Sequence, residues 1–270
     1  MHDGYHNVVA DHYEAGAEEY EMRSCNNHVL EGLRDAFREV TMEQSPKRML
    51  EIGYGPGVDM MWFADQDGVE QVHGIDLTPT FERIVRDKAA TRGDGKVQPL
   101  KGAADQAVEL LGEAAVDTVY VYFGALNTTE DLDRAAQAIH DVLAPGGKAV
   151  LTFVNKWYAF EILWNLVTFR PRKAMARVRK VWTGYSPTKH LASHCPSSRE
   201  VRKAFGKRLT LRRRQGYCIV HPAWYRHHWG PEGSRRSRAF HTIDRWLRWT
   251  PFWNLGEHSL YVYEREATTA

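Results

Sequence analysis

Arg48-Met-Leu-Glu-Ile-Gly-Tyr-Gly-Pro-Gly57, with Asp76 nineteen residues further on, decides the fold. An apolar strand runs into Glu51, glycines follow at 53, 55 and 57, and Val58-Asp-Met-Met-Trp-Phe63 reads as a helix. Glycines at such a turn let the backbone reverse tightly and approach a ligand that any Cβ would push away. A second strand, Val72-His-Gly-Ile-Asp-Leu77, carries an acid at its end. In doubly wound sheets an acid about twenty residues past the glycines meets a ribose hydroxyl pair.

Strands and helices alternate outward from this stretch. Strands are predicted at 47–53, 72–77, Val97–Leu100, Val116–Phe123 and Lys148–Asn155, the pattern of a parallel α/β sheet. Between the last two, Glu130 to Leu143 has helical periodicity and stops at Ala-Pro-Gly-Gly147. Two late strands, Leu209–Val220 and Ser259–Arg265, would close the sheet antiparallel. The first forty residues read as two helices, with Tyr13 and Tyr20 on one face.

The spacing G-x-G-x-G, with an acid two residues ahead, departs from the dinucleotide fingerprint G-x-G-x-x-G. Glu51-x-Gly-x-Gly-x-Gly57 resembles motif I of the class I methyltransferases, and helix, Leu143-Ala-Pro-Gly-Gly147 and strand resemble the same family beyond its motif IV. The resemblance implies an α/β, doubly wound, seven-stranded, mostly parallel sheet with an N-terminal helical lid. It implies S-adenosyl-L-methionine as cofactor, held by Glu51, Gly53, Gly55, Gly57, Asp76, Leu77 and Phe123, with Tyr20 in the lid and Glu51 near the ligand's ammonium. Where the family has Gly-Asp-Ala after strand three, this chain has Lys101-Gly-Ala-Ala-Asp105, so Asp105 is the candidate for the adenine amino group. From Phe123 onward the chain also resembles a less characterised bacterial branch that methylates small metabolites. The matching pieces include Phe123-Gly-Ala-Leu-Asn127, Asn155 with Trp157 and Glu161, Cys195-Pro-Ser-Ser, His221-Pro and Leu255-Gly-Glu-His258. On this reading residues 1–155 are lid and cofactor core, 156–208 a helical substrate cap over the cofactor, and 209–270 the final strands.

The formal net charge of +2 hides an asymmetry. Residues 1–169 hold 14 Lys/Arg against 28 Asp/Glu, and residues 170–248 hold 21 against 3. Two explanations stand: an anionic partner for the basic segment, or its packing on the chain's own acidic part. The longest apolar stretch, Ala159 to Val167, is too short to span a bilayer. The N-terminus lacks signal-peptide regions, and three scattered cysteines (25, 195, 218) suggest packing residues in a cytoplasmic protein.

Methyl transfer from a sulfonium is an in-line displacement, so positioning is the main task. Where the acceptor must lose a proton, Glu161, His221 and His228 are the candidate bases, Glu161 lying one helical turn from Trp157 and Trp164. Asn127, Asn155, Tyr158, Trp164, Tyr225 and His227 are candidate acceptor contacts. His190, His194, His227 and His228 lack the spacing for a metal, so no protein-ligated metal is expected. Trp224-Tyr-Arg-His-His-Trp229 joins rings, which stabilise cations, to arginine, which grips phosphate. An acceptor needing both is an isoprenyl diphosphate methylated at carbon, with Mg²⁺ entering through the diphosphate. Alternatives are O- or N-methylation of another metabolite, an RNA substrate, and peripheral membrane contact through Trp157–Lys180, apolar first and basic after. Against nucleic acid, Phe123-Gly-Ala-Leu-Asn127 stands where base-modifying enzymes carry Asn/Asp-Pro-Pro-aromatic.

Overall fold

The computed structural model describes residues 2–179, 181–182 and 191–267. Lys180, His190 and the side chain of Cys25, all named above, lie outside the described residues. Seven strands form one sheet: β1 (Arg48–Ile52), β2 (Gln71–Asp76), β3 (Val97–Lys101), β4 (Val116–Val121), β5 (Leu143–Val154), β6 (Thr210–Tyr217) and β7 (His258–Glu264). Their order is β3-β2-β1-β4-β5-β7-β6, with β7 antiparallel to both neighbours and the other pairs parallel. This is the sheet expected from the sequence.

Helices cover both faces, which is why burial runs continuously along the central strands β1 and β4 rather than alternating. On one face Leu50, Ile52, Val119 and Phe153 pack with helices α6 (Ala107–Leu111), α7 (Leu132–Val142) and α10 (Ser198–Phe205). On the other, Met49, Tyr120 and Tyr122 pack with α3 (His28–Met42), α4 (Val58–Ala64) and α5 (Pro79–Arg92). Three helices, not two, precede β1: α1 (His2–Glu14), α2 (Ala17–Cys25) and α3. The cap region contains α8 (Ala159–Val167) and α9 (Pro171–Ala174), and α11 (Arg235–Leu247) lies between the last two strands.

The expected cap boundary at 208 needs correction. Val201, Ala204 and Phe205 of α10 are buried in the sheet's own core, so that helix is part of the fold layer. Its amphipathic face and the Ser197/Glu200 capping box explain why it forms.

Register brings the site together. Ile52 pairs with Ile75, Glu51 with Tyr120 and Val154 with His258. Gly53, Asp76, Tyr122 and Asn155 therefore leave the sheet at one edge, and the reversed β7 starts there. Behind that edge Asp59 of α4 receives Arg38 at 2.7 Å and Arg34 at 3.2 Å, and all three are buried. Replacing Asp59 with Ala leaves two guanidiniums buried without their carboxylate. Urea unfolding should register a loss of about 3–5 kcal/mol.

Candidate active site

The loop after β1 is shaped by its glycines. Gly57 has φ +77 and begins α4, and a Cβ there would lie 2.5 Å from Val85, so glycine lets α5 pack against the loop. Gly55 has φ +52, and a Cβ there would meet nothing within 4 Å, so its backbone faces open space. Its amide donates to Asp76 Oδ2 at 3.0 Å, while Thr78 N donates to Oδ1 at 2.9 Å. Burial pushes the Asp76 carboxyl up, and these amide bonds oppose that shift. A backbone hollow floored by a carboxylate fits the ribose end of a nucleoside ligand.

Two helices close over this hollow. Tyr13 and Tyr20 lie edge to face at 6.1 Å, and Tyr20 lies 5.6 Å from Phe81 at the start of α5. Burial holds the Tyr13 hydroxyl protonated, with the neighbouring Tyr20 and Asp76 adding to the effect. The lid is tied down by Glu14 to Thr80 N at 3.1 Å, by Glu18 to Arg83, and by Glu21 to Lys88. Lys88 also donates to Pro56 O at 2.9 Å, joining the lid to the glycine loop. Glu51 sits beneath, buried, accepting from Tyr120 Oη at 2.9 Å. Burial and Asp59 raise its carboxyl well above the ordinary range. Asp105, the candidate for the adenine amino group, is paired with Arg134 of α7 at 3.0 Å.

Past Phe123 the edge changes character. Phe123 holds φ +51, a left-handed conformation rare for a bulky residue and typical of functional sites. Its ring lies 5.5 Å from Phe37 and 6.2 Å from His258. Beyond it, buried Arg177 contacts Glu161 at 2.7 Å and Glu257 at 3.4 Å, with the rings of Tyr158 at 5.0 Å and Trp182 at 4.9 Å. Tyr225 Oη donates to Glu161 Oε2 at 3.2 Å. Burial is the main reason the Glu257 carboxyl is pushed up to about 7; Arg177 opposes and Glu161 assists. Burial, with Arg177 nearby, pushes His258 down to about 3, so its ring is neutral near pH 7. Glu257 Oε2, Tyr158 Oη and His258 Nδ1 are buried without a hydrogen-bond partner among the described residues.

The three candidate bases do not converge. Glu161 is held by Arg177 and Tyr225. His221 is buried 4.5 Å from His241 of α11, with Nδ1 bonded to Pro222 O at 2.8 Å. His228 is exposed in an open pocket of about 510 Å³ with Trp229, Arg236 and Phe240. His227 is also exposed, edge to face with His28. Two expected acceptor contacts are struts. Asn127 is buried, donates to Val154 O at 3.1 Å and His194 O at 2.8 Å, and accepts from Val154 N at 3.1 Å. Asn155 donates to Gly256 O at 2.8 Å and is likewise buried. Trp164 joins Trp229 at 4.5 Å, and both rings flank Arg226. Sequence reasoning missed Arg177, Glu257 and His258 as site residues. Gly-Glu-His258 had been noticed as a motif, but nothing local announces that β7 starts at the site.

The basic segment divides between the two explanations offered for it. Lys207 and Arg208 pair with Asp133, Arg212 with Glu264 and Arg213 with Glu43, so part of its charge meets the chain's own acids. Arg226 has instead the rings of Phe160, Trp164, Tyr225 and Trp229 within 5.1–5.9 Å and no carboxylate partner among the described residues.

Residues 49–147 match the family model described as a methyltransferase domain. The chain is 32% identical to a demethylmenaquinone methyltransferase of Thermus thermophilus over 113 residues, 42% of this chain and 50% of that protein. It is 28% identical over 174 residues to a ubiquinone/menaquinone biosynthesis C-methyltransferase, UbiE, of Idiomarina loihiensis, 58% of this chain and 67% of the relative. The chain thus spans about half the length of the first relative and two thirds of the second. A solved S-adenosylmethionine-dependent methyltransferase from Mesorhizobium loti shares the fold, with TM-score 0.60 and 18% identity over 86% of this chain and 96% of that one. Residues 49–147 thus match a methyltransferase domain, and the glycine loop and seven-stranded sheet around them share the fold of the solved S-adenosylmethionine-dependent methyltransferase.

Proposed function

We propose that the chain transfers a methyl group from S-adenosyl-L-methionine to a small, partly apolar acceptor with an anionic group. The observation that carries this is the shared sheet edge: the glycine hollow with Asp76 lies on one side of Phe123, and the ring-lined Glu257–His258 cluster on the other. S-adenosyl-L-methionine supplies an electrophilic methyl on a cationic sulfur. Asp76 would accept the ribose hydroxyls, the backbone at Gly55 would lie against the nucleoside, and Tyr13 and Tyr20 would exclude water. Phe160, Trp164, Tyr225 and Trp229 would hold the acceptor's apolar part, and Arg226 its anionic group through a planar fork.

An isoprenyl diphosphate methylated at carbon is the specific acceptor this favours, with Mg²⁺ carried by the diphosphate. That reaction releases a proton from the acceptor, and Glu257 is its proposed recipient. It is buried, burial lifts its carboxyl to about 7, and its Oε2 has no hydrogen-bond partner among the described residues, although the Trp224 backbone lies close enough to lower its pKa. A second reading is supported by the curated relatives, whose names describe methylation in quinone biosynthesis: a neutral aromatic acceptor meeting the rings and Glu257 without Arg226.

Calorimetry should detect S-adenosyl-L-methionine and its demethylated product but not NAD. Asp76→Ala should weaken both by about 1.5–3 kcal/mol. Unchanged affinity would contradict the assigned hollow.

Glu257→Gln should lower turnover by about 10²–10⁴-fold while cofactor affinity persists. Because the base must be ionised, native turnover should rise as pH passes about 7, and the variant should lose that rise. For stability the sign is opposite. A carboxyl raised in the fold favours folding below its unfolded value, and that contribution fades as pH climbs to about 7.

Turnover of isopentenyl, dimethylallyl and geranyl diphosphates, a phenol, a quinol and tRNA separates the acceptor classes. Diphosphate turnover with KM raised by Arg226→Gln is expected. Activity on the phenol or quinol alone, unmoved by that substitution, favours the second reading.

A further inference from the structure

Helix α8 is turned inside out for a protein surrounded by water. Its polar face, Glu161, Asn165 and Thr168, points inward: Asn165 is buried, and Glu161 is held by Arg177. Leu163, Leu166 and Val167 occupy the opposite face, at helical spacing, and are 62%, 49% and 72% exposed. Phe169, just beyond, is 91% exposed.

The backbone makes Phe169 more telling. Phe169 N donates to Leu166 O at 3.1 Å and Arg170 N to Asn165 O at 2.7 Å, the pattern of a Schellman helix stop. Phe169 fills the position that favours glycine, at φ +53. The chain therefore accepts a strained backbone to hold a phenyl ring in the open, and burial within the chain offers no return for it.

The charge beside this face is one-sided. Arg170, Arg172, Lys173 and Arg179 are exposed, and no side-chain partner holds them among the described residues. From Trp157 to Trp182 the sole acid is Glu161, which faces inward. An apolar ridge rimmed by cations matches the boundary of an anionic bilayer, where side chains enter the acyl region and arginines meet headgroups.

We propose that the outer face of α8 and the turn into α9 dock on an anionic lipid surface, with Leu163, Val167 and Phe169 inserted and Arg170, Arg172 and Lys173 at the headgroups. Among the described residues no helix is long and apolar enough to cross a membrane, so the contact lies in the plane of the interface. The inner face of the same helix carries Glu161 of the candidate acceptor cluster, so docking would bring that cluster beside lipid. The surface proposal itself does not depend on the methyl-transfer reading.

Flotation with phosphatidylcholine vesicles, with and without phosphatidylglycerol, tests it. The native chain should bind the anionic vesicles, less as salt rises, and alanine at Arg170, Arg172 or Lys173 should each weaken binding about fivefold. Phe169→Gly should weaken binding about tenfold while melting at or above the native temperature, because glycine relieves the φ strain. Failure of the native chain to bind anionic vesicles, or undiminished binding by Phe169→Gly, overturns the proposal. So does RNA binding without vesicle binding, or a dimer that Phe169→Gly dissociates.

Discussion

Arg177 ties α8 to the entrance of β7. Its guanidinium is buried between Glu161 of α8 and Glu257 at the entrance to β7, with Tyr158 and Trp182 against its faces. Removing a guanidinium from water costs several kcal/mol, and one carboxylate at a single distance seldom offsets that. Two carboxylates and two rings from separate segments surround it here, while its Nη1 is buried without a hydrogen-bond partner among the described residues. The ion cluster therefore specifies where α8 lies over the sheet edge as much as it stabilises the contact. It also tunes the site: burial and Glu161 lift Glu257 toward neutrality, while burial and Arg177 keep His258 uncharged.

The antiparallel β7 is what makes this cluster local to the cofactor hollow. A parallel seventh strand would carry Glu257 and His258 to the far edge of the sheet. Reversal sets His258 beside Val154 and Tyr217, within ring contact of Phe123. Asn127 secures the same corner by bonding the end of β5 and the chain at His194 together. Asn127 uses both ends of its side-chain amide in this way, and Asn155 bonds Gly256 O from the same corner, so both serve the frame.

Charge follows a similar logic. Arginines from 170–248 that land near the body find Asp133, Glu43 and Glu264, whereas those on α9 and the preceding turn find none among the described residues. The segment's excess charge is thereby split between internal pairing, the ring-held Arg226 and the exposed cations beside Phe169.

The family resemblance supplied the reversed finish, and sequence by itself determined the glycine loop, the acid at the end of β2 and the positions of the strands in the parallel half. These depend on local signals: positive-φ glycines, apolar runs bounded by turns, and a period that switches between strand and helix. Tertiary structure alone decided which polar residues share a site. Arg177 and Glu257 are 80 residues apart, and neither periodicity nor composition encodes their meeting. His221 and His228 looked like bases because imidazoles titrate near neutrality, yet packing on α11 and exposure in an open pocket separate them from Glu161. Which face of α8 turns inward was likewise undecidable from its pattern, because its apolar side is the one the fold leaves outside.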